Sequence, residues 1–373
     1  MPYHSCMLPE VLNLDDPTGV ARPLGALPFF VAYLIPASAI VAIAGEGGWV
    51  LSTVVLVFVI TPVLDLVLGN NRRNPRWEAK GPPPRRDAVF DLALWLWVPL
   101  QVFILGWAIW TAGAGSLRGW ELAGLALSVG ISTGSGAINV AHELMHRTGR
   151  LERALAEILM VTALYPHFCI EHTRGHHRTV ATPEDPASAR FGESLYGFLP
   201  RTIFGSLVSA WRLERERIER SGRRARGLGD RRIRYPLVLA AAIVAIAFLA
   251  GWRGLLFYVG QGLVAILLLE IINYIEHYGL ERRRLDSGRW ERVGPRHSWN
   301  ASQRLTNWYL FNLQRHADHH EYASRPYWLL RHVPESPQLP AGYATMSLTA
   351  LVPPLWRRIM DPRVRQIRQP AGD

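Results

Sequence analysis

Six long apolar stretches alternate with polar segments along the chain: Leu27 to Ala44, Trp49 to Gly69, Ala88 to Ala112, Trp120 to His142, Tyr235 to Gly251 and Leu255 to Tyr274. Each is near the ~20 residues that a helix needs to cross a ~30 Å hydrocarbon core. The fifth is the shortest. No charged leader with a short apolar core and a small-residue cleavage site precedes the first stretch, so it reads as retained. Short glycine-bearing turns, Gly45 to Gly48, Gly113 to Gly119 and Gly251 to Gly254, join the stretches in pairs. The pattern predicts an all-α fold: a six-transmembrane-helix bundle of three helical hairpins. A soluble protein burying so many long apolar helices is the weaker alternative.

Charge orients the bundle. The chain is 49% hydrophobic yet carries a formal net charge of +11, the contrast expected of a membrane protein with a basic aqueous face. Lys80 is the single lysine, so the other cations are arginines. The three short turns hold only Arg118 and Arg253. Almost every other cation lies on the opposite side, which the positive-inside rule makes the cytoplasm of a bacterial-type inner membrane. Residues 1–26 are then a cytoplasmic N-terminal segment. Residues 27–280 form the bundle, with a cytoplasmic insertion at 147–234. Residues 281–373 form the cytoplasmic C-terminal part of the same catalytic domain. Between the second and third spans, Asn70 to Asp87 carries Arg72, Arg73, Arg76 and a Pro82-Pro83-Pro84 stop. The insertion and the C-terminal part together read as a helical cap on the bundle.

The candidate chemistry sits on that cytoplasmic side. Nine of the 13 histidines fall into four short packages. They are His142-Glu143-Leu144-Met145-His146, His172-Thr173-Arg174-Gly175-His176-His177, Asn273-Tyr274-Ile275-Glu276-His277 and His316-Ala317-Asp318-His319-His320. Neutral imidazole suits iron, copper and zinc. First-row metals take about four to six ligands, so nine imidazoles imply two ions. Histidines four apart on a helix share a face. Adjacent ones diverge by about 100°, so a His-His pair can address two metals. Asn139, Glu143, Glu171, Asn273, Glu276 and Asp318 lie beside these histidines and could accept the second N–H of a ligating ring. Glu270 and Asn273 fall within or near the end of an apolar span, where polar groups are costly and often functional.

The first package also matches the His-Glu-x-x-His pattern of zinc proteases. Such a protease uses three protein ligands and one zinc, and would leave the remaining packages without a role. A membrane metal transporter would place its ligands near the bilayer midplane, whereas these sit at one end. Cys6 and Cys169 are the only cysteines and form no Cys-x-x-Cys pair, so this stretch of chain ligates no iron–sulfur centre by itself. Redox chemistry here would draw electrons from another protein or domain. Cys169 reads as a small buried apolar residue. His167 reads as structural or as a neighbour of the ligands, His297 and His332 as surface residues, and His4 as part of a loose terminus. The arginine runs Arg212 to Arg234 and Arg282 to Arg284 suit anionic lipid first and an acidic electron carrier second. Arg201 with Trp211 to Arg217 suits an interfacial amphipathic helix.

The three boxes His142-x3-His146, His172-x3-His176-His177 and His316-x2-His319-His320 resemble those of the integral-membrane di-iron desaturase and hydroxylase superfamily. Within it, the stretch from Asn273 through His277 to Arg282 is similar to the alkane 1-monooxygenase signature, as are Thr182 to Ser188 and Leu313 to His320. One departure is Gly69-Asn70-Asn71, where acidic residues would be expected. The resemblance implies a non-haem di-iron enzyme that hydroxylates the terminal methyl of medium- to long-chain alkanes with O₂. It implies two irons on His142, His146, His172, His176, His177, His277, His316, His319 and His320. It implies alkane drawn from the bilayer and electrons from a rubredoxin with its reductase, and no nucleic acid. Sister chemistries on the same site are hydroxylation of alkyl-aromatic or fatty-acyl methyl groups, and acyl desaturation. A linear substrate must run its tail between the spans. The second span carries one bulky aromatic in its interior, Phe58, with Val55 and Val59 as neighbouring candidates for the channel wall.

Overall fold

In this computed structural model the described residues are 22–75, 88–221 and 227–368. Among them the chain is helical throughout, without a strand, as the apolar pattern predicts. Most of the N-terminal segment, with His4 and Cys6, lies outside the described residues, as do Lys80 and the proline stop.

Among the described residues five helices are long and apolar enough to cross a membrane: α1 (Leu24–Ala44), α2 (Gly47–Leu68), α3 (Ala88–Gly113), α4 (Gly119–Met145) and, beyond three helices described below, α8 (Arg231–His277). The first four coincide with four of the expected spans. The fifth differs, because the two expected last spans form one run of 47 residues. At ~1.5 Å per residue such a run is about 70 Å long, twice what one crossing needs. It is interrupted where the turn was expected, at Gly251, whose φ of 62° and ψ of −168° are non-helical and open to glycine.

Lipid offers helices no hydrophobic reason to associate, so small residues and polar contacts hold them together. Gly130 of α4 lies so close to α8 that a Cβ there would sit 2.6 Å from Val264 Cβ and 2.7 Å from the Gln261 carbonyl oxygen. Beside this contact runs a buried polar ladder. Gln101 donates to Thr133 at 2.9 Å, Thr133 to Gln261 at 3.0 Å, and Gln261 to the Thr162 carbonyl at 2.9 Å. At the end of the bundle remote from the histidines, the Glu121 carboxylate accepts from Gly47 N–H (3.0 Å) and Arg118 N–H (2.7 Å). One side chain thus ties the α1–α2 turn to the first turn of α4.

The histidine end is covered by the rest of the chain. The insertion supplies α5 (Arg150–Thr162), a helical stretch at 168–179 called α6, and α7 (Leu195–Arg220). After α8 come α9 (Arg304–Tyr309), α10 (His316–Glu321), α11 (Tyr343–Ala350) and α12 (Pro353–Arg368). Buried Glu214 of α7 binds Arg217 and Arg231, pinning α7 to the start of α8. Buried Asp65 of α2 accepts from the Thr306 backbone N–H at 3.1 Å and from its hydroxyl, so it caps α9 from outside that helix. Arg304 N–H donates to the Gly69 carbonyl and Asn71 N–H to the Ser302 carbonyl, which seats the Gly69-Asn70-Asn71 loop against the approach to the third histidine box. Trp356 and Met360 of α12 pack on Tyr274 and Tyr278 at the end of α8.

Candidate metal centre

Four helix ends converge beneath the bundle, and each delivers one histidine package. His142 and His146 close α4, His277 closes α8, and α6 and α10 carry the other two. The nine rings fall into two groups whose ligand-type nitrogens lie within 4.8 Å of one another. One holds His142, His146, His172, His177 and His319; the other holds His176, His277, His316 and His320. Each His-His pair is divided between the groups, as the ~100° divergence predicts.

The division in α6 follows a different spacing from the expected one. His172–His176 is a π-turn, in which the His177 N–H reaches back to the His172 carbonyl. Five residues make roughly one turn there, so His172 and His177 share a group and His176 turns to the other. In α10, which is α-helical, His316 and His320 keep the four-residue spacing.

The donor set fits metal. His316 Nε2 lies 3.2 Å from His277 Nε2, 3.0 Å from His320 Nε2 and 3.1 Å from Glu276 Oε2. A ring nitrogen either donates or accepts one bond, so it cannot satisfy all three neighbours. Nitrogens at that spacing suit a common ion about 2 Å from each. In the other group, His177 Nε2 lies 3.1 Å from both His172 Nε2 and His319 Nε2. Buried Nε2 atoms of His142, His146 and His176 have no hydrogen-bond partner among the described residues. Burial pushes His146 down to about 3, and burial followed by the His142 ring holds His172 well below the usual imidazole range. Such rings are neutral and keep a lone pair for a metal. His176 differs. Burial lowers it too, but the Asp185 carboxylate 2.9 Å from Nδ1 outweighs this and raises it.

The expected supporting groups divide. Glu276 reaches the second group, with one oxygen by His316 and the other accepting from Tyr343 at 2.7 Å. Glu171 is buried over Gly175 with Oε1 unpartnered, and burial pushes its carboxyl up to about 8. Asp318 turns to Arg325 and the Arg331 N–H. Glu143 pairs with Arg147 at 3.4 Å. Asn273 donates to Glu270 at 3.0 Å. Asn139 lines a cavity that His142 also lines.

That cavity is lined by residues of α1, α2, α4 and α8 and by His142 and His172 of one group and His316 of the other. Its walls include Ile35, Val57, Phe58, Ile138, Leu268 and Ile272. Three π-turns border it: Leu56–Ile60, Thr133–Ala137 and His172–His176. Phe58 faces in, as proposed for the channel. Val55 and Val59 do not. They are 45% and 57% exposed on the outer surface of α2, because the inward positions of that helix are 57, 58 and 61.

A profile of the fatty acid desaturase family matches residues 118–350. Alkane 1-monooxygenase 1 of Pseudomonas aeruginosa PAO1 is 45% identical, over 86% of this chain and 85% of the relative. The chain belongs to the alkane 1-monooxygenases, within the fatty acid desaturase family. Alkane 1-monooxygenase 2 of Alcanivorax borkumensis SK2 is 42% identical, over 89% of this chain and 87% of its own length. More distant is the xylene/toluene monooxygenase hydroxylase component of Pseudomonas putida, 29% identical over 74% of each chain. The chain is thus an oxidoreductase of a membrane family, with histidine clusters able to hold metal.

Sequence reasoning missed several supporting residues of this alkane 1-monooxygenase relative. Asp185 binds His176 and also accepts from Ser188 at 2.6 Å, yet it lies in a loop outside every histidine package. Its only signal was the resemblance of Thr182 to Ser188. Arg201, expected on an interfacial amphipathic helix, lies on α7, and it also donates to Glu193 at 2.7 Å and to the carbonyls of Pro186 and Ser188, clamping the loop that bears Asp185. His297 and His332 were expected at the surface and are buried. The His297 carbonyl lies 3.3 Å from His277 Nδ1, and His332 Nδ1 pairs with Ser302 at 3.1 Å.

Proposed function

We propose that this chain is a non-haem di-iron monooxygenase that hydroxylates the terminal methyl of medium- to long-chain alkanes. The observation that carries this is the largely apolar cavity lined by rings of both histidine groups. An alkane has no polar atom to grip, so orientation must come from a walled slot that leaves only its end at the chemistry. His142, His146, His172, His177 and His319 would hold one iron, and His176, His277, His316 and His320 the other. Bound iron would supply O₂ activation and electron uptake, which ordinary side chains do not supply. One oxygen atom enters the C–H bond. The other leaves as water with two protons and two electrons.

The protein's own part is orientation and exclusion. Asp185, fixed by Ser188, holds the His176 ring by Nδ1 and leaves Nε2 for metal. Glu276 plays a different part: its Oε2 lies beside His316 Nε2, on the side where metal would sit, while Tyr343 anchors its far oxygen. α9 to α12 close the centre from below and keep water from the reacting end.

We read the α8 run as two crossings broken at Gly251, making six spans in a bacterial inner membrane with the histidines on the cytoplasmic side. Residues 27–280 and 281–373 then form one catalytic domain. Electrons come from a separate rubredoxin served by its reductase. The test is product analysis on iron-loaded protein in lipid with rubredoxin, its reductase, NADH and a panel of alkanes. Terminal alcohols are expected. Alkenes would favour desaturation, oxidation of xylene methyls alone would favour the aromatic reading, and zinc in place of iron would favour neither.

A further inference from the structure

Asn139 is a buried amide on the wall of this cavity. It lies on α4 three residues before His142, on the same helical face, and both side chains line the cavity. Its residue is 6% exposed, and its Nδ2 has no hydrogen-bond partner among the described residues. Ile35 and Ile138 share that wall. A buried amide N–H₂ left unmated costs stability, and native folds rarely tolerate it without a use. An isosteric leucine would fill the same space at no such cost.

We propose that Asn139 is a specificity-determining donor for the oxygen atom of the hydroxylated chain end. This rests on the alkane reading above. An alkane can make no hydrogen bond there, and the newly formed –CH₂–OH can. A donor one helical turn from a cluster ring therefore favours the oxygenated chain over the starting chain. Binding that distinguishes the two states in this direction stabilises the product side of C–O bond formation. Its cost is retention of the alcohol, so release of 1-alkanol is slowed by the same contact.

The test uses the full iron-containing protein in detergent without reductant, so that nothing turns over. Labelled dodecane is displaced with unlabelled dodecane or with 1-dodecanol. The wild-type protein should prefer the alcohol by about tenfold, the worth of one hydrogen bond to an otherwise unmated buried donor. In Asn139→Leu the preference should fall to near one, with dodecane bound at least as tightly, iron content unchanged and thermal stability equal or higher. Asn139→Ser, which keeps a shorter donor, should retain part of the preference. A wild-type protein indifferent to the hydroxyl overturns the proposal and leaves the alkane reading standing. So does an Asn139→Leu protein that keeps the tenfold preference. Loss of iron or marked destabilisation in both variants would make Asn139 structural and overturn it as well. A wild-type protein that binds neither chain overturns both.

Discussion

His172 Nε2 and His177 Nε2 lie 3.1 Å apart although five residues separate them along one helical stretch. The π-turn at His172–His176 makes this possible by adding one residue to a turn of helix. The same turn sends His176 to the opposite group, where Asp185 receives its Nδ1. One backbone irregularity therefore decides which ring joins which group.

Asp185 should matter through His176 alone. Asp185→Asn keeps the shape but weakens the grip on Nδ1. Loss of such a supporting carboxylate typically costs about 10–100-fold in metal affinity. Competitive chelation should show one of two metal equivalents released more readily, with the other unchanged. Two equally weakened ions would contradict the assignment of Asp185 to a single group.

Phe58 should limit substrate length. It lines the cavity within a π-turn of α2. Phe58→Ala should admit longer chains while octane oxidation and iron content persist. Gas chromatography of products from dodecane upward checks this. An unchanged length profile would move the limit to another wall residue, such as Val57 or Ile138.

Gly130→Ala should loosen the bundle. The added Cβ would press on the Gln261 backbone and on Val264, neither of which can swing away. Overpacking of this kind costs about 1–3 kcal/mol. Thermal unfolding in detergent should fall accordingly. The far-end turn variant Gly48→Ala, which meets nothing within 4 Å, should not fall with it.

Electron delivery should depend on salt. Arg215, Arg220 and Arg283 are exposed arginines in ion pairs. If an acidic rubredoxin docks there, its steering is screened over about 8 Å at physiological ionic strength. The rate of reduction by rubredoxin should drop as salt rises and on Arg→Glu changes at these positions. A rate indifferent to both would argue against electrostatic docking.

Much of this architecture was legible in the sequence because it follows from composition and period. Apolar length gave four helices and the break at Gly251. Histidine spacing gave the packages and the division of each His-His pair. What escaped is what a regular period cannot encode. A π-turn has no composition signal in His172-Thr173-Arg174-Gly175-His176, so the five-residue partnership of His172 and His177 was hidden. Which face of the second span turns inward has no composition signal either, so Val55 and Val59 were named beside Phe58 although only Phe58 lines the cavity. Asp185 and Arg201 act across a loop, where proximity in space has no counterpart in spacing. His297 and His332 were misjudged because a polar ring in a C-terminal segment reads as exposed until that segment is seen folded over the centre.

The central claim is that nine histidines form two separate metal sites, and metal counting tests it most directly. Iron per protein is measured by mass spectrometry on wild-type protein, His177→Ala, His320→Ala and the double variant, each purified with iron under identical conditions. Two irons should be present in the wild type, about one in each single variant and almost none in the double variant. A single iron in the wild type, or complete loss of iron in either single variant, would contradict the division into two sites.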